Sequence, residues 1–314
     1  MKTPFLLLFV FISLVYSCSK TNSSNNSGNK PNIYVGGLTG TLGYSTQGVV
    51  WKNDSAINYL NAAGITSLCL SGTDLYTVDG NVYWKNEVPT TLPDIRVSNQ
   101  ILVSGNDVYI TGSSLTSNNT ATAAAVYWKN GNLINLTQNI PNIVAAFTKG
   151  VAVSGSNVYV CGYLYSGYND SLDAVYWKNG QVNYLPNGYM AKCIAVSGSD
   201  VYVGGTSLHN GDVYWKNGVM QSLGNNAWVN AITVSGADVY IGGFTVSGPD
   251  QGVYWKNGQV VAQLPGCNAA TGIAVYGSDV YCSGNTNSNY AAFWKNGVPD
   301  TLGIGNASSI AVGP

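Results

Sequence analysis

A short motif recurs seven times along the chain: an aliphatic or aromatic residue followed by Trp-Lys-Asn. Successive tryptophans of the motif stand 33, 44, 49, 38, 40 and 39 residues apart. A period near 40 residues is typical of proteins in which each repeat is one small unit that buries its apolar face only against its neighbours. The chain is therefore predicted to be a repeat structure in which the tryptophans are core residues. They are Trp51, Trp84, Trp128, Trp177, Trp215, Trp255 and Trp294.

Each repeat contains four short runs of β-branched and aromatic residues, which we label strands a to d. Turn residues separate the runs, and this pattern predicts a four-stranded antiparallel meander. Asn-Gly follows Trp-Lys in five repeats and predicts a type I′ hairpin between strands c and d. An Asp precedes strand b in several repeats and is interpreted as a structural turn residue that bonds nearby backbone amides. These residues are Asp107, Asp200, Asp238 and Asp279, with Asn157 in their place once.

The two ends of the repeat region complete one another. Residues 32–37 read as a strand b with no strand a before it, and residues 308–313 read as a strand a with no strand b after it. Pairing of the terminal strands would remove exposed sheet edges. We therefore predict an all-β, seven-bladed β-propeller over residues 32–314, with four-stranded antiparallel blades and a ring closed by its N- and C-terminal strands.

The first 31 residues are predicted to lie outside the propeller. Residues 5–16 are an apolar stretch suited to the core of a signal peptide, which we assign to residues 1–17. Val15-Tyr16-Ser17-Cys18 resembles the lipobox of bacterial lipoproteins, and the resemblance implies that Cys18 is lipidated and becomes the mature N-terminus. Residues 18–31 then form a polar, flexible tether. The alternative to lipid anchoring is ordinary secretion, in which Cys18 is removed or stays unmodified. Ser19 after the cysteine favours the Gram-negative outer membrane, facing either the periplasm or the cell surface.

The chain as a whole resembles propeller-bearing bacterial lipoproteins in general, and the resemblance specifies no activity. The glycine pair after strand b is similar to that of kelch propellers, and the repeat length is similar to that of WD40 proteins, but neither signature is complete. Asp-box sialidases require an arginine triad, whereas this chain contains one arginine, Arg96.

Composition narrows the function classes. Only 9% of the residues are charged and the formal net charge is −1, so the chain has no basic stripe for nucleic acid. One histidine and scattered cysteines make no metal-binding spacing, and no cofactor is predicted. The five cysteines after Cys18 are interpreted as buried small residues, with a Cys161–Cys193 disulfide left open. A monomer is expected.

The end of the blades that carries the b–c and d–a loops is the predicted binding face, because its loops vary in length and sequence. From residue 32 on, seven of the ten basic residues are lysines of the Trp-Lys-Asn motif, and the other three are Arg96, Lys149 and Lys192. Lys149 and Lys192 occupy equivalent repeat positions. The three are predicted to form a basic crescent at the channel mouth that attracts an anionic group, unless they pair locally. The local partners would be Asp94, Asp170 or Asp173.

Aromatic residues on the same side are predicted either to contact a ligand or to pack beneath the loops. These residues are Tyr165, Tyr168, Tyr189 and Trp228. The leading interpretation is thus a non-catalytic, outer-membrane-anchored protein that binds a glycan, peptide or protein partner. One alternative is a polysaccharide-acting hydrolase or lyase that uses Asp170, Asp173, Asp212 or His209. The other alternative is that the protein is a structural subunit of an envelope complex.

Overall fold

The computed structural model describes residues 30–40, 46–59, 61–115, 123–138, 140–167, 172–224, 226–246, 248 and 250–314. These residues form 27 β-strands arranged as antiparallel blades of a β-propeller. No helix long and apolar enough to cross a membrane occurs among them. Neither the proposed signal peptide nor Cys18 falls within the described residues.

Most strands belong to separate four-stranded sheets. The first three strands of the chain are β1 (Asn32–Thr39), β2 (Gln47–Lys52) and β3 (Ser55–Asn58). One sheet follows with β4 (Ser67–Ser71), β5 (Asp74–Asp79), β6 (Val82–Lys85) and β7 (Val88–Thr91). The next contains β8 (Val97–Ser104), β9 (Asp107–Leu115), β10 (Ala123–Lys129) and β11 (Asn132–Asn135). The third contains β12 (Ala145–Ser154), β13 (Asn157–Tyr165), β14 (Leu172–Lys178) and β15 (Gln181–Tyr184). The fourth contains β16 (Gly188–Ser197), β17 (Asp200–Ser207), β18 (Asp212–Lys216) and β19 (Val219–Ser222). The fifth contains β20 (Ala227–Ser235), β21 (Asp238–Val246), β22 (Asp250–Lys256) and β23 (Gln259–Gln263).

The remaining strands form one continuous seven-stranded sheet instead of two separate blades. The last strands of the chain are β24 (Cys267–Tyr276), β25 (Asp279–Thr286), β26 (Tyr290–Lys295) and β27 (Val298–Gly313). The sheet order is β24-β25-β26-β27-β1-β2-β3. The sequence-based expectation of seven separate four-stranded blades in a closed ring is corrected here to five such blades and one seven-stranded sheet, in an arrangement that is not closed. The physical reason is the 16-residue strand β27, which pairs with β26 through its first half and with β1 through its second.

The Trp-Lys-Asn motif joins the two turns at one end of each blade. Asn130 and Gly131 have φ angles of 51° and 84°, which is the positive-φ pair that a type I′ turn requires. Asn130 Oδ1 accepts the Val108 backbone N–H at 2.9 Å, and its amide donates to Asp107 Oδ1 at 2.7 Å. Lys129 Nζ lies 2.8 Å from Asp107 Oδ2. The Asp therefore binds the neighbouring turn through side chains, not through the backbone amides that the sequence suggested.

This turn-to-turn contact predicts a loss of stability in acid. The Lys129 ammonium and then the Asn130 amide hold the pKa of Asp107 below its ordinary value. A lowered folded-state pKa contributes stability that is present above about pH 4 and is lost as the pH falls through the folded pKa. Urea unfolding between about pH 7 and pH 3 should therefore show a shallower pH dependence for Asp107→Asn than for the native protein.

The third four-stranded sheet supplies the control for this prediction. Asn157 occupies the Asp position there, so Lys178 lies 5.5 Å above the Tyr159 ring centre without an ion pair to that turn. Asn157→Asp should add an ion pair and steepen the acid dependence. Identical pH profiles for the native protein and both variants would contradict this role of the turn carboxylates.

The core lies between neighbouring sheets. All seven motif tryptophans are buried, with exposed fractions between 0% and 4%. Trp177, for example, belongs to a cluster that also contains Leu102 and Tyr109 of the preceding sheet. The blades are thus held together by aromatic and aliphatic contacts on their faces, and this leaves the loop end free to differ between repeats.

Candidate functional site

Seven residues, one from each repeat, line a cavity of about 230 Å³. The cavity lies at the end of the propeller where the d–a connections lead into strand a. The seven residues, which we call the mouth ring, occupy equivalent repeat positions. They are Thr66, Asn99, Lys149, Lys192, Asn230, Thr271 and Ser308. The cavity continues along the axis into a second space of about 170 Å³, because both are lined by Leu68, Ile194 and Ile273 among others. The sequence pattern that grouped Lys149 with Lys192 therefore corresponds to one shared cavity.

A repeated β-bulge places these residues outside the ladder of backbone hydrogen bonds. In the pairing of β12 with β13, Thr148 faces Gly162 and Gly150 faces Cys161, so Lys149 is the extra residue. Bulges re-aim a side chain in this way. The same register shift occurs at Asn99, Lys192, Asn230, Thr271 and Ser308.

The bulge explains the second glycine of the Gly-Gly pair in strand b. In the pair Gly204-Gly205, for example, a Cβ atom on Gly205 would lie 2.0 Å from the carbonyl oxygen of Met190, because the bulged backbone occupies that space. In the first four-stranded sheet Asp79 ends strand β5 next to Thr66, and β4 begins only at Ser67. Asp79 Oδ2 instead accepts the backbone N–H groups of Ala63 and Gly64 at 3.0 and 3.3 Å. The second glycine of the pair is therefore a structural consequence of the bulge that forms the mouth ring.

Most polar members of the mouth ring are used to join adjacent blades. Asn99 donates from its amide to Thr148 O at 2.7 Å, and Asn230 donates to Ala270 O at 2.9 Å. Thr271 donates to the carbonyl of Ala307 at 2.9 Å, and Ser308 donates to the carbonyl of Ile65. Each bond reaches the residue just before the next member of the ring. These four side chains therefore stabilise the ring, and the two lysines remain as its charged groups.

Lys149 is the lysine of this cavity that forms no ion pair with the described acidic residues. Its side chain is half-buried, and no hydrogen bond or ion pair engages its ammonium within the part of the chain that the structure describes. Among the described residues that line the cavity, only Lys149 and Lys192 carry charge. A half-buried ammonium without a counter-charge favours occupation of the cavity by an anion.

Lys192 is held by a carboxylate and an aromatic ring. Its Nζ donates to Asp212 Oδ2 at 2.6 Å and lies 4.7 Å from the centre of the Trp228 ring. Asp212 is only 2% exposed, and the same oxygen accepts the Val229 backbone N–H at 2.6 Å. Asp212 therefore connects two blades and positions the Lys192 ammonium beside the cavity.

The position of Asp212 is unusual for the repeat, and this signal was available in the sequence. Asp212 stands three residues before Trp215, at the start of strand c. Small or uncharged residues occupy that position elsewhere: Gly48, Asn81, Ala125, Ala174, Gly252 and Ala291. A buried ionisable residue at a site otherwise reserved for small side chains is a candidate for function. Sequence reasoning paired Asp212 with His209 and missed its contact with Lys192.

Two stacked aromatic pairs border the mouth ring. Trp228 is 46% exposed and stacks on Phe244 with ring centres 5.6 Å apart and planes 13° apart. Phe147 stacks on Tyr163 at 5.0 Å. Trp228 and Phe147 each precede a ring member by two residues, so both pairs lie on the same rim. The sequence analysis did not identify Phe244 or Tyr163.

The other predicted ligand-binding residues lie away from the cavity or outside the described chain. Arg96 is exposed just before β8 and does not line the cavity. Tyr165 and Tyr189 are half-buried in β13 and β16 and do not line it either. Tyr168 lies outside the described residues, as does Asp170. The structure thus brings together Lys149, Lys192 and Trp228, whereas Arg96 stands apart.

Two of the described residues proposed for catalysis, His209 and Asp212, do not contact one another. His209 is exposed, and within the described ranges no hydrogen bond joins it to Asp212. No group of three or more His, Cys, Asp or Glu side chains among these residues is arranged to hold a metal ion. The five described cysteines, Cys161 and Cys193 included, are buried and form no disulfide with one another. Burial raises the pKa of the Cys161 thiol to about 12, so it is not a thiolate near neutral pH.

Comparison with known proteins leaves the family open. No family model and no curated protein matches the chain. The solved structure of RS223-Beta-xylosidase is 11% identical with a TM-score of 0.35, covering 68% of this chain and 90% of that one. A mutant of AofleA from Arthrobotrys oligospora, in which arginines are replaced by alanine, is 14% identical with a TM-score of 0.40, covering 93% and 94%. The Bombyx mori GH32 beta-fructofuranosidase BmSUC1 is 10% identical with a TM-score of 0.37, covering 90% and 93%. Similarity at this level transfers no activity to the chain.

Proposed function

We propose that the protein is a binding protein that takes the anionic group of a saccharide at the mouth ring. Lys149 carries the proposal, because it is a half-buried ammonium in a polar cavity without a counter-charge among the described residues. An incoming carboxylate or sulfate would supply that counter-charge through a charge-assisted hydrogen bond. Trp228 would offer an apolar surface to the sugar at the rim.

The proposal includes the architecture and the location of the protein. We infer seven blade units, because the seven-stranded sheet contains two four-stranded units that share β27. An outer-membrane lipid anchor remains a prediction from residues 15–18. Metabolic labelling with a palmitate analogue, compared between the native chain and Cys18→Ala, would test it.

Replacing Lys149 by glutamine is expected to weaken binding of glucuronate and of glucose 6-sulfate by about tenfold or more, since charge-assisted hydrogen bonds contribute about 1.5–3 kcal/mol. Glutamine removes the charge and keeps a polar donor on a side chain that is shorter by one atom. Isothermal titration calorimetry measures the affinities, with glucose as the uncharged comparison.

Lys178→Gln is the matched control. Lys178 also lacks an ion pair among the described residues but lies over Tyr159 at the opposite end of its blade. Its loss should leave affinity unchanged. Equal binding by the Lys149 and Lys178 variants, equal affinity for glucose, or no binding of either charged sugar would refute the proposal.

A polysaccharide-acting hydrolase or lyase remains the second candidate, and the observation that favours it is the buried carboxylate of Asp212 beside the cavity. Its Oδ2 accepts hydrogen bonds from the Lys192 ammonium of the mouth ring and from the Val229 backbone N–H. Turnover of acidic polysaccharide that is lost in Asp212→Asn, with folding retained, would favour this candidate over simple binding.

A further inference from the structure

We propose that Asp212 makes the mouth ring selective for singly charged anions, a role that rests on the binding function proposed above. The site contains two ammonium groups, Lys149 and Lys192, and one buried carboxylate that directly contacts the second of them. The formal sum is one positive charge. A single sulfate ester or carboxylate matches this charge.

A doubly charged phosphate ester is disfavoured in this environment for two reasons. The desolvation cost of an ion rises steeply with its charge. The few polar groups of the cavity offset less of that cost for a doubly charged ligand than for a singly charged one. In addition, Asp212 lies 2.6 Å from the Lys192 ammonium, so any anion bound to that lysine also interacts with the Asp212 carboxylate. That repulsion doubles when the ligand charge doubles.

Lys192 still has donors for a ligand. An ammonium carries three N–H groups, and the described contacts of Lys192 are one hydrogen bond to Asp212 and one approach to the Trp228 ring. Asp212 is thus a positioning and specificity residue: it places the Lys192 ammonium at the cavity wall and reduces the charge that the cavity presents.

A second carboxylate near the mouth ring provides an internal comparison. Asp79 Oδ1 lies 3.4 Å from the Thr66 hydroxyl, in the first four-stranded sheet, whereas Lys192 belongs to the fourth. Asp79 therefore lies close to a ring member but contacts neither lysine. Removing its charge changes the net charge of the rim by the same amount without changing the Lys192 contact.

The test compares glucose 6-sulfate with glucose 6-phosphate by calorimetry at about pH 8, where the phosphate ester carries nearly two charges and the sulfate carries one. The native protein should bind the sulfate at least as tightly as the phosphate. Asp212→Asn should shift the affinity ratio toward the phosphate by about tenfold, because one opposing charge is removed a few ångströms from the ligand. Asp79→Asn should shift the ratio by much less.

The double variant Lys192→Gln with Asp212→Asn separates charge from local structure. It loses one positive and one negative charge, so the formal sum returns to that of the native protein and the native selectivity should return with it. If the native protein binds glucose 6-phosphate about tenfold more tightly than glucose 6-sulfate, the selectivity proposal is wrong whatever the variants show. An equal shift in the Asp79 and Asp212 variants also overturns it. In both cases the charged sugars still bind in a manner that depends on Lys149, so the proposed binding function stands. If the native protein binds neither charged sugar, the binding function itself is refuted.

Discussion

Replacing Trp215 by alanine is expected to lower the free energy of unfolding by about 3–5 kcal/mol, which is the usual effect of removing a large aromatic side chain from a core. Trp215 is fully buried, and its Nε1 donates to Pro186 O at 3.1 Å. The substitution removes contacts between two blades and leaves the Pro186 carbonyl without this hydrogen bond. Urea unfolding followed by circular dichroism measures the effect.

Trp228→Ala is the control for the core substitution. Trp228 is the one tryptophan outside the Trp-Lys-Asn motif and is 46% exposed. Its loss should cost only about 1 kcal/mol, mainly through the stacking contact with Phe244. Equal destabilisation by the two substitutions would contradict the division between motif tryptophans as core and Trp228 as rim.

Gly243→Ala is expected to be the most damaging change by a single methyl group. A Cβ atom on Gly243 would lie 1.8 Å from Trp228 O and 3.2 Å from the Trp255 ring. The obstacle is the backbone of the bulge in β20, which cannot move without displacing Asn230 of the mouth ring. Overpacking typically costs about 1–3 kcal/mol and occasionally more, and a contact this short with backbone lies at the upper end of that range. The melting temperature and the urea midpoint should both fall.

Gly242→Ala is the adjacent control. A Cβ atom there meets its nearest neighbours at 3.4 to 3.5 Å, which is ordinary van der Waals contact. The expected change is within about 1 kcal/mol, and alanine also reduces the entropy of the unfolded chain. If both glycines tolerate alanine equally, the bulge is not the reason for the glycine pair in strand b.

The regular part of the fold could be predicted from particular residues. Trp-Lys-Asn-Gly predicted the c–d hairpin because Asn-Gly adopts positive φ at both turn positions, and Asn130 with Gly131 has that geometry. The terminal half-repeats indicated that the first and last strands pair, as β1 and β27 do. These predictions depend on neighbours in sequence or on the repeat itself. The continuity of β27 through two blade units was not predictable, because no sequence signal distinguishes one long strand from two short strands that meet.

The candidate site was predictable only in part. Equivalent repeat positions grouped Lys149 with Lys192, and both line the cavity. The partner of Lys192 was not foreseen, because Asp212 lies twenty residues away and local sequence suggested the nearby His209 instead. Arg96 was included on charge alone, and the structure places it at the surface and not in the lining of the cavity.

The sequence alone determined the repeat, the strand pattern, the turn chemistry and the burial of the tryptophans, because each depends on local propensity and on apolar periodicity. Only the tertiary structure decided which of the two lysines of the mouth ring forms an ion pair with a carboxylate. An ion pair depends on where distant strands bring two side chains, and the bulge register decides whether a residue at that level enters the cavity. Lys149 and Lys192 are therefore equivalent in the repeat but differ in chemistry, since Asp212 stands beside one of them only.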